Sequence, residues 1–226
     1  MSPRFGLRPW FTKLTPGVRG LITITAAIHV ALLVFRLANE DAFWALFPHI
    51  ALVPGNVVEF EFQGLFTTLF VHDPFSIFHV ILNLMVLYFL GPMVEKQMGA
   101  RRFVTLYLGA GLCGSVVYTA WALLFSDPSL PAVGASGSIL GVLVAFALLF
   151  PNAMLRLLMF APMRARNLIW LALALDLVIL FSDSSVAVPA HLGGMLGGFL
   201  IIRRPWRPAY RRRVMRDFQT WLRRRR

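Results

Sequence analysis

Six apolar stretches, at about 20–36, 76–94, 103–125, 136–150, 167–182 and 188–202, occupy most of this chain of 226 residues. A bilayer-spanning helix takes roughly 20 apolar residues, within a range of about 17 to 25. Backbone inside hydrocarbon must satisfy its own hydrogen bonds, which leaves helices or closed barrels. Charged residues make up only 14% of the chain against 58% hydrophobic, about half the usual charged share, so a soluble fold could not cover this much apolar surface. The sequence therefore predicts an all-α, polytopic membrane protein with six transmembrane helices. Segment 20–36 is read as a span and not a removable signal peptide, because no A-x-A-like site follows and Arg36 leads into a polar, acidic loop. The expected organisation is residues 1–19 as a cytoplasmic segment, 20–202 as the membrane domain and 203–226 as a basic tail.

The net charge of +12 suggests nucleic acid at first sight, but its distribution argues against that. Residues 203–226 carry eleven Arg and one Asp, a balance of +10, which leaves +2 for the rest. Arg4, Arg8, Lys13 and Arg19 precede the first span; Lys96, Arg101 and Arg102 lie between the second and third; Arg156, Arg164 and Arg166 lie between the fourth and fifth. The alternate connections hold no Lys or Arg, apart from Arg36 at the outer end of span one. Basic residues mark cytoplasmic loops, so both termini are expected inside, with a bacterial inner membrane as the expected location. In the tail, Tyr210, Val214, Phe218 and Trp221 recur at helical spacing among arginines. That pattern suits an interfacial amphipathic helix against anionic lipids, with no motif for nucleic acid. The one cysteine, Cys113, excludes an internal disulfide.

Strongly polar side chains are costly in hydrocarbon and usually functional. His79, Ser136 and His191 each fall within about a turn of the outer end of spans two, four and six, so they share one depth. Asn83 follows His79 by four residues, on the same helix face. Span four is short, so Ser136 is expected at the floor of a water-reachable recess, after an irregular segment at Pro131–Ala135. Gly137 and Gly141 on span four, and Gly194 and Gly198 on span six with Gly193 and Gly197 beside them, form small-residue faces that let backbones approach closely. Packing these faces together would bring Ser136 and His191 within hydrogen-bond reach. A neutral imidazole at that distance can take the hydroxyl proton as the oxygen attacks a peptide carbonyl. The N-terminus of span four adds backbone donors at Ser136.

The segments Gly134-Ala-Ser136-Gly137, Ala190-His191-Leu-Gly-Gly194 and His79-Val-Ile-Leu-Asn83 resemble the three motifs of the rhomboid intramembrane serine proteases, and lie on the same spans. The resemblance covers about residues 60–204. It implies a six-helix rhomboid-like bundle with Ser136 as nucleophile and His191 as general base and acid. It also implies an oxyanion hole from His79, Asn83 and the Ser136 backbone N–H, with Gly134, Gly137, Gly141, Gly194 and Gly198 as packing support. Glu95 and Gly99-Ala100 resemble the family's cytoplasmic turn. The first outer loop departs from the family: Gln63-Gly-Leu-Phe66 stands near the place of a Trp-Arg pair seen in many members.

The resemblance implies a Ser-His pair without an acid, so Asp176, in span five, is expected to bond to a neighbouring helix and His29 to pack. No His-Glu-x-x-His is present and one buried Asp cannot form an aspartyl pair, so no metal and no cofactor are expected. The expected substrates are other transmembrane proteins, entering laterally past span five. The alternative is a catalytically weak rhomboid-like protein that binds membrane clients.

Overall fold

The computed structural model describes residues 14–155, 162–181 and 187–203. The first thirteen residues, Arg156 and the tail from 204 onward, with its expected interfacial helix, lie outside the described residues. The described chain is almost entirely helical. Helix α1 (Pro16–Ala38) is followed by α2 (Glu40–Ile50), α3 (Pro54–Val58), α4 (Gly64–Thr67), α5 (Ile77–Met98), α6 (Ala100–Phe125) and α7 (Ser136–Leu149). A two-residue antiparallel pair, β1 (Met154–Leu155) with β2 (Met163–Arg164), precedes α8 (Asn167–Leu180) and α9 (Val188–Arg203). Helices α1, α5 and α6 are long and apolar enough to cross a membrane; α7, α8 and α9 are shorter apolar helices. These six fall on the six apolar stretches of the sequence.

The shortest helices matter most for the site. Helix α7 has 14 residues, nine of them buried, so it runs through the centre of the bundle, in contact with α5, α6, α8 and α9. Leu87 and Val94 of α5, Phe103 and Tyr107 of α6 and Val142 and Phe146 of α7 are fully buried in one cluster. The periphery has the opposite character. Helix α1 exposes Ile24, Val30, Val34 and Leu37, and α8 buries only Leu168 and Asp176. Apolar side chains facing outward in this way suit lipid as solvent.

Glu95, near the C-terminal end of α5, fixes the start of α1. Its carboxylate accepts from the Thr15 hydroxyl (2.6 Å) and from the backbone N–H groups of Gly17 (2.9 Å) and Val18 (2.8 Å). The first N–H groups of a helix have no partner within it, and here a residue almost eighty positions away supplies one. Glu95 is 3% exposed. Hydrogen bonds to a charged group contribute about 1.5–3 kcal/mol each and leave unsatisfied donors when removed. Glu95→Ala is therefore expected to destabilise the fold by about 3–5 kcal/mol, measured as a lowered thermal midpoint in detergent; an unchanged midpoint would contradict this role. Gly99, at φ +86°, then turns the chain directly from α5 into α6.

Where the sequence predicts a polar, acidic loop after Arg36, the structure has three short helices. Asn39 caps α2 by accepting from Ala42 N–H (3.0 Å). Arg36 lies over the ring of Phe75, 4.5 Å from its centroid, an attractive cation–π contact that accounts for the one basic residue off the expected side. The Gln63–Phe66 region is well anchored without the family's Trp-Arg pair. The Thr67 hydroxyl donates to Ile50 O (2.7 Å), and a Cβ on Gly64 would meet Ala51 O at 2.6 Å.

Candidate active site

Ser136 is the first residue of α7. The irregular backbone leading to it is held by hydrogen bonds to neighbouring backbone and side chains. Leu52 and Ala132 form an antiparallel bridge, Leu52 N–H to Ala132 O at 2.9 Å and Ala132 N–H to Leu52 O at 2.8 Å. The Thr68 hydroxyl donates to the same Ala132 carbonyl (2.8 Å), and Gly134 N–H donates to Thr68 O (3.1 Å). Gly134 has φ +123°, and a Cβ there would lie 2.7 Å from Nε2 of His79. Only glycine suits that position, on both counts.

Helix α9 approaches α7 through backbone contact. A Cβ on Gly194 would collide with the backbone of Gly137, and one on Gly198 would meet Gly141 Cα at 2.6 Å. The neighbouring pair, Gly193 and Gly197, serves a second seam against α6, where added Cβ atoms would meet Gly114 Cα at 2.9 Å and Ala110 Cα at 3.0 Å. With both seams closed, His191 in the first turn of α9 places Nε2 2.9 Å from the Ser136 hydroxyl. Ser138, two residues on, is fully buried beside Gly111 of α6, on a different face of α7.

His79 and Asn83 occupy the expected face of α5. His79 lies against Gly134; Asn83 is 7% exposed and its Nδ2 donates to the His79 carbonyl (2.8 Å). An amide nitrogen has two N–H groups, so one remains for another acceptor. His29 is buried, with its ring 6.5 Å from that of His72, edge to face, which places it as a packing residue one layer behind the site.

Two features go beyond the sequence expectation. Asp176 reaches a neighbouring helix, as expected, and its partner there is the imidazole itself: Oδ1 lies 2.7 Å from His191 Nδ1. Ser136, His191 and Asp176 thus form one line of contacts. Helix α8 ends at Leu180, so Asp176 is one turn from its end, where it meets His191 in the first turn of α9. The second feature is His72, between α4 and α5, which the sequence reading did not single out because it lies outside the apolar spans. It accepts from Ala135 N–H at Nε2 (3.3 Å) and faces Phe70 O with Nδ1 (3.3 Å), which holds the residue before Ser136.

His72 is 2% exposed. Burial, reinforced by the nearby imidazole of His79, pushes its pKa down to about 4, so it is neutral in the folded protein at ordinary pH and accepts at Nε2. In the unfolded chain it protonates near pH 6.5. Stability from this residue is therefore complete above about pH 6.5 and is lost as the pH falls toward 4. The expected loss is about 2–4 kcal/mol, seen as a thermal midpoint that drops between pH 6.5 and 4.5. His72→Gln is expected to flatten that slope; an equal slope in the variant would assign it to other groups.

The apolar helices define an integral, multi-pass membrane protein, and within it a part-buried serine meets an imidazole. A family model described as "Rhomboid domain" matches residues 59–206, and the chain belongs to the rhomboid family. It is 30% identical over 149 residues to YdcA of Bacillus subtilis, covering 65% of this chain and 68% of that protein. It is 32% identical over 143 residues to the rhomboid protease GluP of the same organism, covering 63% of this chain but 26% of GluP. Mitochondrial relatives match more of the chain: the presenilin-associated rhomboid-like protein of Homo sapiens is 28% identical over 197 residues, covering 85% of this chain and 50% of that protein.

Proposed function

We propose that this chain is an intramembrane serine endopeptidase that cleaves within or next to the transmembrane helices of other membrane proteins. The observation that carries the reading is the 2.9 Å contact between Ser136 Oγ and His191 Nε2 at the N-terminus of a buried helix. In this reading the six apolar helices all span, both termini face the cytoplasm, and a bacterial inner membrane is the setting. Residues 20–202 form the membrane domain, and the Arg-rich tail lies on anionic lipid. His191 takes the Ser136 proton as Oγ attacks the scissile carbonyl, then returns it to the departing amine nitrogen. Water hydrolyses the acyl-enzyme in a second cycle of the same exchange. The oxyanion is received by the Ser136 N–H, an orphan donor of the first turn of α7, together with the second N–H of Asn83 and a ring N–H of His79. Donors set in advance contribute about 3–4 kcal/mol each to the transition state.

The test is turnover of a fluorogenic transmembrane-helix peptide by the purified protein in lipid vesicles, with a fluorophosphonate probe mapped by mass spectrometry. Cleavage and an adduct on Ser136 are expected. An adduct on a different serine would move the site. A folded protein that binds the peptide but neither cleaves it nor takes up the probe would leave the client-binding alternative in its place.

A further inference from the structure

Within the protease reading, on which this inference rests, one group near the reacting atoms has no assigned part. We propose that Asp176 is a positioning residue for His191, so that Ser136, His191 and Asp176 act in series across α7, α9 and α8.

The geometry is that of a relay. The imidazole bridges the other two groups, with Nε2 2.9 Å from Ser136 Oγ and Nδ1 2.7 Å from Asp176 Oδ1. A neutral imidazole carries one proton on either nitrogen, and it can accept the serine proton only when Nε2 is bare. A carboxylate at Nδ1 selects that tautomer, because it offers an acceptor and no donor. It also fixes the ring plane and stabilises the imidazolium that forms when Oγ attacks. The serine proton moves to Nε2, the Nδ1 proton stays in its hydrogen bond to the carboxylate, and Nε2 then passes its proton to the leaving amine. Asp176 begins and ends the cycle ionised.

A packing role explains the residue less well. The side chains of Asp176 and His191 are 7% and 13% exposed, and taking a carboxylate out of water costs several kcal/mol. A tie between two helices is made more cheaply by apolar contact. Oδ2 is also buried with no hydrogen-bond partner among the described residues, so the carboxylate is not the centre of a structural network such as the one around Glu95. Asp176 and Leu168 are the two side chains that α8 buries, while Trp170, Leu175, Leu177 and Val178 are exposed. Among the described residues, the other titratable groups on this side are His79 on α5, with His72 and His29 beyond it, and Asp73, whose charge acts on His79 and His29; the one carboxylate in hydrogen-bond contact with His191 there is Asp176.

The experiment compares the full chain in lipid vesicles as wild type, Asp176→Asn, Asp176→Leu and Ser136→Ala, with the fluorogenic transmembrane-helix peptide. Asp176→Asn keeps shape and hydrogen bonding but removes the charge. It is expected to lower kcat by about 10²–10⁴-fold, to leave KM within about twofold, and to slow fluorophosphonate labelling of Ser136 in proportion to kcat. The probe is small, so its labelling rate reads activation of the nucleophile rather than entry of a helix. A tie that merely seats α8 predicts a changed KM or thermal midpoint with kcat and labelling kept. Either variant that folds and retains kcat within about threefold of wild type overturns the proposal, so Asp176→Leu decides the matter if Asp176→Asn does not fold. Ser136→Ala separates the two levels: cleavage equal to wild type there would remove the protease assignment of this site, whereas an inert Ser136→Ala beside a fully active Asp176→Asn would remove only the role of Asp176.

Discussion

Ser136→Ala and His191→Ala are each expected to lower kcat on a membrane-helix substrate by at least about 10⁴-fold, and the double variant is expected to be no worse than either alone. A serine hydroxyl is a weak nucleophile until a base takes its proton, and the base has nothing to activate without the hydroxyl. The two side chains therefore act as a unit, and the effects of such units are strongly non-additive. At about 1.36 kcal/mol per factor of ten, the loss corresponds to about 5–6 kcal/mol of transition-state stabilisation. KM should stay close to that of the wild type, because neither group is expected to contribute to holding the substrate helix. The check is single-turnover cleavage of the fluorogenic peptide in vesicles by all four proteins. Additive losses in the double variant would mean that the 2.9 Å contact is not the catalytic one.

The second large effect concerns a residue with no side chain. Gly194→Ala is expected to destabilise the fold by about 2–4 kcal/mol and to lower kcat by about a hundredfold or more. A Cβ at Gly194 would collide with the backbone of Gly137, and backbone in a helix cannot move aside as the end of a flexible side chain can. Overpacking costs about 1–3 kcal/mol, at times more. The only relief is for α9 to draw back from α7, which takes His191 away from Ser136, and a misplacement of about 1 Å can cost about 10²-fold in rate. Gly20→Ala is the control. It lies in α1 with nothing within 4 Å of its Cβ position, so alanine there should be neutral or stabilising by up to about 1 kcal/mol. Thermal midpoints and peptide turnover for the two variants decide the matter; equal behaviour would show that the seam is more forgiving than its geometry.

The fold was legible wherever an apolar run had to satisfy its own backbone, and all six helices of the bundle fall on the runs read from sequence. The glycine faces at 137/141 and 194/198 were legible as well, because four-residue spacing on a helix has one meaning when backbones must touch. A bond from Asp176 to a neighbouring helix was legible from the cost of an acid in an apolar run, but its partner, the His191 imidazole, was not, because spacing along one helix does not say which residue of another it faces. The helices between Arg36 and Ile77 were missed for a different reason. They are too short for periodicity to register, and they are held by contacts such as Leu52 with Ala132 that join segments far apart in sequence. His72 went unnoticed for the same reason, since its importance comes from a backbone N–H more than sixty residues away.

Helix α8 buries two side chains, and one of them is the acid in contact with His191. Any outward swing of this helix, such as a lateral entry route would use, would withdraw that acid from the base. Admission of a new chain and breakage of its peptide bond would then belong to different positions of one helix. In the proposed protease, the site would be idle while open and armed on closing, an interlock that spares polypeptides passing through the entrance without settling in it. The clock of such a cycle would be the re-seating of α8 rather than the chemistry at Ser136.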